Sequence, residues 1–285
     1  MTPGVSPFKA ALSGAAFSFG ILMLSTVAGC AGVDRFGGSR PAVIDWGRAR
    51  GFEPSDLTVG RFRLLSLQRI YVAQAPETIN VYIEGDGAAW PTPYHPPRDP
   101  TPLQPIGLAL AAADAAKAVV YLGRPCQYLD TAQLADCGPT YWTERRFAPE
   151  VVAAYMTVLD RLKARSGARR LRLFGHSGGG VLATLLAARR TDVDRLVTVA
   201  APLAVAEWTT RHRATPLLGS LDPARVATTG LPPATHFVGG RDSIVPAGVV
   251  AAFAEHSGGR LREVPEFDHQ CCWSRDWLRL LEEIK

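Results

Sequence analysis

A serine between glycines lies where a nucleophile could act. The apolar, strand-like run LRLF at 171–174 is followed at once by GHSGG at 175–179, and then by an alanine-rich stretch that predicts a helix. In this strand-turn-helix context, a G-x-S-x-G motif exposes the serine hydroxyl on a sharp turn. The glycines avoid collisions at the turn, and the following helix N-terminus stabilises developing negative charge. We therefore predict that Ser177 is a nucleophile; the alternative is a glycine-rich turn without chemistry.

A serine hydroxyl is a weak nucleophile without a base, so this hypothesis requires a histidine and a carboxylate close to Ser177. Asp242 follows the strand predicted at THFVGG, and His269 follows the strand predicted at RLREVPEF. Ligands bind at the carboxyl ends of the strands in a parallel sheet, so these side chains should meet there. Asp268 is a poorer partner for His269, because adjacent side chains on an extended chain point in opposite directions.

Apolar, β-branched runs alternate with helical stretches from about residue 60 onward. The predicted strands are RFRLLSLQRI, TINVYIEG, KAVVYLG, RLRLFG, DRLVTVA, THFVGG and RLREVPEF. Amphipathic helices are predicted at 149–166, 179–190 and 246–256. Near-continuous apolar strands between helices indicate a mostly parallel sheet that is covered on both faces. The predicted fold class is therefore α/β.

The segments LRLFGHSGGG, FVGGRDSIVP and FDH resemble the α/β-hydrolase superfamily in their order and their positions at strand ends, over about residues 60 to 285. A closer resemblance, on YIEGDG, RPCQY, YWTERRF and GHSGGG, is to poorly characterised proteobacterial α/β-hydrolase lipoproteins. The superfamily resemblance implies the α/β-hydrolase fold and the chain order serine, acid, histidine. That order favours His269 over the other five histidines, which precede Ser177 or fall in predicted strands and helices: His95, His176, His212, His236 and His256.

The resemblance also implies an oxyanion hole of two backbone N–H groups. One belongs to Gly178, and alignment of the segment EGDG at 84–87 assigns the other to Asp86. This segment departs from the family pattern, because Glu84 stands where histidine is common. In addition, the Asp86 carboxylate would oppose an oxyanion unless it points away or meets a cation, for which Arg124 and Arg98 are the candidates.

These residues together predict a serine hydrolase that cleaves an acyl bond, foremost a carboxylic ester, in a small-molecule or lipid-like substrate. No metal and no organic cofactor is implied. The alternatives are a peptidase or amidase, and a catalytically silent binding lipoprotein on the same scaffold, because a fold does not name a reaction.

The composition is that of a globular protein, with 47% hydrophobic and 20% charged residues among 285. The formal net charge is +5, but the arginines are scattered singly or in pairs, and no basic run is interleaved with aromatic residues. Nucleic-acid binding is therefore not expected. The sequence carries no indication of oligomeric state.

The N-terminus has the pattern of an export signal. Lys9 precedes an apolar stretch that ends in small residues, which predicts a signal peptide over residues 1–29. The segment VAGC at 27–30 resembles a bacterial lipobox, which implies that Cys30 is the first mature residue and carries lipid. Ala31 in the next position resembles the pattern of outer-membrane lipoproteins facing the periplasm. The alternative is an uncleaved membrane anchor.

Export would place the remaining cysteines in an oxidising compartment, where disulfides persist. Cys126 and Cys137 bracket a short loop and are expected to pair. Cys271 and Cys272 are expected to form a vicinal bridge or to be reduced. Other pairings stay open, and a zinc site is disfavoured because no CxxC spacing is present.

Three segments lie outside the predicted strands and helices. Residues 30–59 are rich in Gly, Arg and Pro, which indicates a lipidated tether leading to a hydrolase domain at 60–285. The proline-dense stretch at 88–107 predicts a loop over the site. The insert at 202–233 contains one predicted helix, AVAEWTTRHR, and is expected to form a small cap.

Overall fold

The computed structural model describes Met1 and residues 36–71, 75–88, 95–226 and 229–284. Residues 2–29 of the predicted signal peptide and Cys30 lie outside the described residues, as do residues 89–94 of the proline-dense loop. No helix within the described ranges has the length and hydrophobicity that a membrane span requires.

Within these ranges, eight strands form one sheet. They are β1 Glu53–Val59, β2 Phe62–Ile70, β3 Thr78–Ile83, β4 Ala118–Leu122, β5 Arg170–His176, β6 Val193–Val199, β7 Ala234–Gly239 and β8 Arg260–Val264. Their order in the sheet is β1-β2-β4-β3-β5-β6-β7-β8. Strand β2 runs antiparallel to β1 and β4, and all the other neighbours pair in parallel. The predicted mostly parallel sheet is confirmed.

Helices cover both faces of this sheet. The described α-helices are α1 Arg40–Arg48, α2 Ile106–Ala113, α3 Thr131–Cys137, α4 Pro149–Ser166, α5 Gly178–Ala187, α6 Val205–Arg211, α7 Pro223–Val226, α8 Ala247–Ser257 and α9 Trp277–Glu282. A short 3-10 helix spans Pro139–Trp142. The predicted helices at 149–166, 179–190 and 246–256 correspond to α4, α5 and α8.

The sheet separates two hydrophobic cores, which explains why its central strands, such as AVVYL of β4, are largely apolar. Leu173 and the residues that pair with it on β3 and β6 belong to the core that contains α4 and α5. Phe174, the next residue, belongs to the opposite core, where its ring stacks on Tyr82 with centroids 4.4 Å apart. Trp277 of α9 closes this second core and donates a 2.9 Å hydrogen bond to the Tyr82 hydroxyl. Because successive side chains point to opposite faces, a strand buried on both faces is apolar throughout.

The predicted tether is wrong over its last two thirds, because α1 spans Arg40–Arg48 and β1 spans Glu53–Val59. The Ser39 hydroxyl accepts a hydrogen bond from the Ala42 N–H and caps α1, and all seven residues of β1 pair with β2. Leu57 is the one residue of β1 that is buried. This edge strand is therefore held by backbone hydrogen bonds, and its apolar periodicity is too weak to recognise. The folded part of the chain begins before residue 60.

In the described part of the insert, residues 202–226 and 229–233, there are two short helices, α6 and α7, where the sequence predicts one. The Asp222 carboxylate joins them, since it accepts hydrogen bonds from the Val205 and Ala206 N–H groups at the start of α6, 3.0 Å each. Further along the insert, the backbone N–H of Leu221 donates to the carbonyl oxygen of Phe147. The insert is therefore fastened to the segment before α4. Its role as a cap stays a prediction.

Candidate active site

Ser177 lies on a sharp turn between β5 and α5. Its backbone has φ 51° and ψ −126°, a conformation that costs a non-glycine residue on the order of 1–3 kcal/mol. The turn is held by a 2.8 Å hydrogen bond from the Ser177 N–H to the carbonyl oxygen of Val199 in β6. Gly175 is required on the strand side, because a Cβ there would lie 2.3 Å from the Gly179 carbonyl oxygen. The glycine motif therefore permits a sharp turn, with Ser177 in a strained conformation.

His269 lies in the loop after β8, with Nε2 3.2 Å from the Ser177 Oγ. Asp268 shapes this loop: its Oδ1 accepts hydrogen bonds from the backbone N–H groups of Gln270 and Cys271, at 2.8 and 2.7 Å. The indole N–H of Trp273 donates to the Asp268 carbonyl oxygen at 2.9 Å. Oδ1 of Asp268 is therefore used by the backbone of its own loop.

Asp242 lies in the turn after β7, and its Oδ2 is 2.9 Å from Nδ1 of His269. Its Oδ1 accepts hydrogen bonds from the N–H groups of Ile244 and Val245, at 2.8 Å each. The carboxylate is fully shielded from solvent, whereas the His269 side chain is 13% exposed. With Nδ1–H donating to Asp242, Nε2 can accept the Ser177 proton. The structure thus brings together the three residues that the sequence predicts as partners.

His176 is a participant that sequence reasoning missed. Its Nε2–H donates a 2.9 Å hydrogen bond to the carbonyl oxygen of His269. Burial, and then the neighbouring His269, lower the pKa of His176 to about 3, so the imidazole is neutral near pH 7. Its position between Gly175 and Ser177 places it at the site, but nothing in the sequence indicates that it contacts the His269 loop.

The two predicted oxyanion donors lie next to each other. Gly178 is the first residue of α5, where backbone N–H groups have no partner within the helix. Asp86 follows β3, and its carboxylate approaches Gly178 so closely that a Cβ at position 178 would lie 1.9 Å from Oδ1. Gly178 is therefore the residue that admits the Asp86 side chain beside the nucleophile turn.

The Asp86 carboxylate meets two cations. Its Oδ1 is 2.8 Å from Arg124, and its Oδ2 is 2.8 Å from Arg146. Burial raises the pKa of Asp86, but the guanidinium groups of Arg146 and Arg124 outweigh burial and hold the pKa below its usual value. Arg124 is one of the two candidates that the sequence offers for this cation, and Arg146 is a further cation that the sequence does not indicate.

Glu84, where the family commonly has histidine, is buried, and its carboxylate accepts hydrogen bonds from backbone N–H groups. Its Oε1 accepts hydrogen bonds from the N–H groups of Gly85 and Gly107, at 2.8 and 3.1 Å, and its Oε2 accepts one from Leu108 at 3.3 Å. Burial raises the pKa of Glu84, and these N–H groups oppose the rise. The side chain therefore joins the loop after β3 to the N-terminus of α2.

The four cysteines outside the N-terminal segment form two pairs. Cys126 and Cys137 are bonded with their Cα atoms 5.7 Å apart, and both are buried. Cys271 and Cys272 are also bonded, directly after the His269 loop. Among the described residues, no group of three histidine, cysteine or acidic side chains is arranged to hold a metal ion.

No protein-family model and no curated protein matches the chain, but many solved structures do. An α/β serine hydrolase homologue from Coxiella burnetii is 13% identical, with 81% of this chain and 95% of that chain covered and a TM-score of 0.52. An esterase from Pyrococcus furiosus is 13% identical, with 83% and 92% covered and a TM-score of 0.57. A proline iminopeptidase-related protein from Thermus thermophilus is 16% identical, with 82% and 96% covered and a TM-score of 0.54. At these identities the likeness shows the fold.

Proposed function

We propose that this chain, which has the α/β-hydrolase fold, is a serine hydrolase that cleaves an acyl bond, foremost a carboxylic ester. The observation that carries the proposal is the continuous hydrogen-bond chain from the Ser177 Oγ through the His269 imidazole to the Asp242 carboxylate, 3.2 and 2.9 Å long. A nucleophile, a base within reach and a buried acid that orients the base are the parts that acyl transfer needs. Proteins with the same fold include an esterase and a proline iminopeptidase-related protein, so a peptidase is the alternative.

In the proposed reaction, the Ser177 Oγ attacks the acyl carbonyl carbon while Nε2 of His269 takes the hydroxyl proton. The carbonyl oxygen becomes an oxyanion that accepts hydrogen bonds from the backbone N–H groups of Gly178 and Asp86. The intermediate collapses, the bond to the leaving group breaks, and His269 returns its proton to that group. Water then attacks the acyl-enzyme by the same steps, which releases the acid and restores Ser177. Asp242 stabilises the imidazolium throughout.

A fluorophosphonate probe tests the nucleophile directly. We expect the full-length protein to be labelled at Ser177 and the Ser177→Ala variant to remain unlabelled. A panel of nitrophenyl esters, thioesters and aminoacyl amides then tests the bond type, with esters expected to be cleaved fastest. Faster cleavage of the amides would favour a peptidase, and a folded protein that neither labels nor turns over any substrate would favour a silent binding protein.

We further propose that the protein works in the cell envelope, anchored through lipid on Cys30 and facing the periplasm from the outer membrane. The support for this location is the export and lipobox pattern of residues 1–30. A diacylglyceryl group on the thiol together with an N-acyl chain supplies more than one hydrocarbon anchor, so attachment would be stable. An acyl substrate of lipid-like character would then be available at the same membrane.

A further inference from the structure

A carboxylate beside the oxyanion hole presents an electrostatic problem. The Asp86 side chain lies against the α carbon of Gly178, so its negative charge is adjacent to both proposed donors. Negative charge here would raise the energy of a transition state in which the substrate oxygen itself becomes negative. The two residues that neutralise Asp86 therefore affect the energy of this transition state.

The arginines that meet Asp86 are far more buried than surface ion pairs are. The side chain of Arg124 is 4% exposed and that of Arg146 is 9% exposed, while Asp86 is 25% exposed. One carboxylate between two guanidinium groups leaves a net charge of +1. Charges that are fixed and shielded from water interact more strongly than exposed ones. The cluster as a whole therefore favours an oxyanion, although Asp86 alone would oppose one.

Arg124 is held on the side of β4 by a strained loop. Its guanidinium donates to the carbonyl oxygen of Arg146 at 2.7 Å as well as to Asp86. In the same loop, Gln127 accepts from the Arg124 N–H at 3.0 Å and donates to the Gly85 carbonyl oxygen at 3.1 Å. Cys126, within this loop, has φ 70°, a strained value for a residue with a side chain. The loop after β4 thus contacts both the backbone and the side chain of the Gly85-Asp86 segment.

Arg146 is held from the segment before α4, and its carbonyl oxygen also accepts the hydrogen bond from Arg124. Its Nε donates to the Thr143 carbonyl oxygen at 2.7 Å while its other end meets Asp86. Ser220 of the insert fastens this segment, because its hydroxyl donates to the Glu144 carbonyl oxygen at 2.7 Å and accepts from the Phe147 N–H at 3.0 Å. The Asp86 carboxylate is therefore bound from two sides, by the loop after β4 and by the segment before α4, and each of these is held by its own hydrogen bonds.

We propose that Arg124 and Arg146 are positioning residues for acyl transfer, which act by clamping the Asp86 carboxylate. The clamp sets the direction of the Asp86 backbone N–H in the oxyanion hole and turns the local charge from negative to positive. This inference rests on the proposed function. It assigns a role to two arginines that need not touch the substrate.

The test compares two adjacent arginines in the full-length protein. Arg146→Gln removes one arm of the clamp, and we expect kcat for the best ester of the panel to fall about 10- to 100-fold, because misplaced groups at a reacting centre cost this much. KM should stay within about threefold, since the clamp acts on the transition state. Arg145→Gln is the matched control: Arg145 is partly exposed and pairs with Glu150, away from Asp86, so its loss should leave kcat unchanged.

Two further variants separate positioning from folding. Arg146→Lys keeps the charge but lacks the planar fork that reaches Thr143 and Asp86 together, so its kcat should lie between those of wild type and Arg146→Gln. Combining Arg146→Gln with Asp86→Asn should cost less than the sum of the two single losses, because both break the same interaction. Thermal unfolding of each variant shows whether it is folded.

The outcomes distinguish this inference from the function on which it rests. Unchanged kcat in folded Arg146→Gln, or a change in KM alone, overturns the clamp while the serine hydrolase stands. If Arg146→Gln does not fold, Arg146→Lys becomes the test, and full activity of that variant overturns the clamp. A wild-type protein that neither labels at Ser177 nor turns over any substrate refutes the function and the clamp together.

Discussion

The side chain of His176 and the backbone of His269 are joined by a 2.9 Å hydrogen bond across the site. His176 immediately precedes the nucleophile, whereas His269 belongs to a loop 93 residues further along the chain. The bond therefore couples the strand that presents Ser177 to the loop that presents the base. Because the donor is a neutral imidazole, the bond does not depend on pH near neutrality.

Replacing His176 by Phe should loosen the His269 loop. The ring volume is largely kept, but the His269 carbonyl oxygen loses its donor, and an unsatisfied buried acceptor costs about 1–3 kcal/mol. We expect a lower melting temperature and a fall in kcat of about tenfold, measured by thermal unfolding and ester hydrolysis. His236→Phe is the control, since His236 is also buried and neutral but bonds to Thr198 within the sheet. It should lower stability and leave kcat unchanged; equal kcat losses in both variants would contradict the coupling.

Replacing Asp242 by Asn should lower kcat by about 10³-fold or more, because the imidazole loses the carboxylate that fixes its tautomer. Adding this change to Ser177→Ala should cause little further loss, since the residues act as a unit. Asp268→Asn keeps the oxygen that accepts from Gln270 and Cys271, and its kcat should change by no more than a few-fold. A larger loss in Asp268→Asn than in Asp242→Asn would reverse the assignment of the acid.

Asp192 should make stability depend on pH in the acid range. Hydrogen bonds from Arg190, and then from Lys163, lower its pKa from 3.8 to about 2. Because the pKa is lower in the folded state than in the unfolded state, the ionised carboxylate stabilises the folded protein above the unfolded-state pKa. This stabilisation is lost as the pH falls from about 4 to about 2. Asp192→Asn should therefore lower the unfolding free energy at pH 7 by about 1 kcal/mol, allowing for solvent screening, and by less at pH 3.

Denaturant unfolding at the two pH values measures this difference. Asp194→Asn is the control, since Asp194 makes a more exposed pair with Arg172 and should have little effect at either pH. A destabilisation by Asp192→Asn that is as large at pH 3 as at pH 7 would show that its ion pairs are not the cause.

The pairing of Cys126 with Cys137 should stabilise the protein by about 3 kcal/mol, the value expected for a closed loop of this size. Changing both to Ser should lower the melting temperature and leave only the effect of reductant that acts on the Cys271–Cys272 bond. Changing Cys271 and Cys272 to Ser should leave a reductant effect, because the first pair remains. Peptide mapping without reduction identifies the bonds directly, and free thiols at 126 and 137 in exported protein would disprove the pairing.

Cys30→Ala should prevent lipidation and leave an unprocessed precursor, because the thiol is the acceptor that a lipobox supplies. Labelling with an alkyne fatty acid, together with partition into detergent, measures the effect. Ser25→Ala leaves the segment at 27–30 intact and should be processed as wild type. Normal maturation and detergent partition of Cys30→Ala would refute lipid attachment at this residue.

The local sequence pattern was sufficient to predict the strand ends at which Ser177, Asp242 and His269 lie. The strand, turn and helix around Ser177 are encoded within about 20 consecutive residues, and Asp242 and His269 follow β7 and β8. The carboxyl ends of parallel strands share one edge of the sheet, so recognising the strands was enough to predict that the three side chains meet. Strand β1 and helix α1 were missed because edge elements bury few side chains and leave a weak apolar pattern.

What surrounds these three residues was decided by tertiary structure. Arg146 reaches Asp86 across 60 residues, and His176 reaches the His269 loop across 93, so no local spacing indicates either contact. Each contact depends on how separate strands and loops pack, and many arginines and histidines were equally available in the sequence. The sequence by itself therefore determined which residues at the strand ends can act as nucleophile, base and acid. Only the tertiary structure decided which charges and hydrogen bonds hold them there.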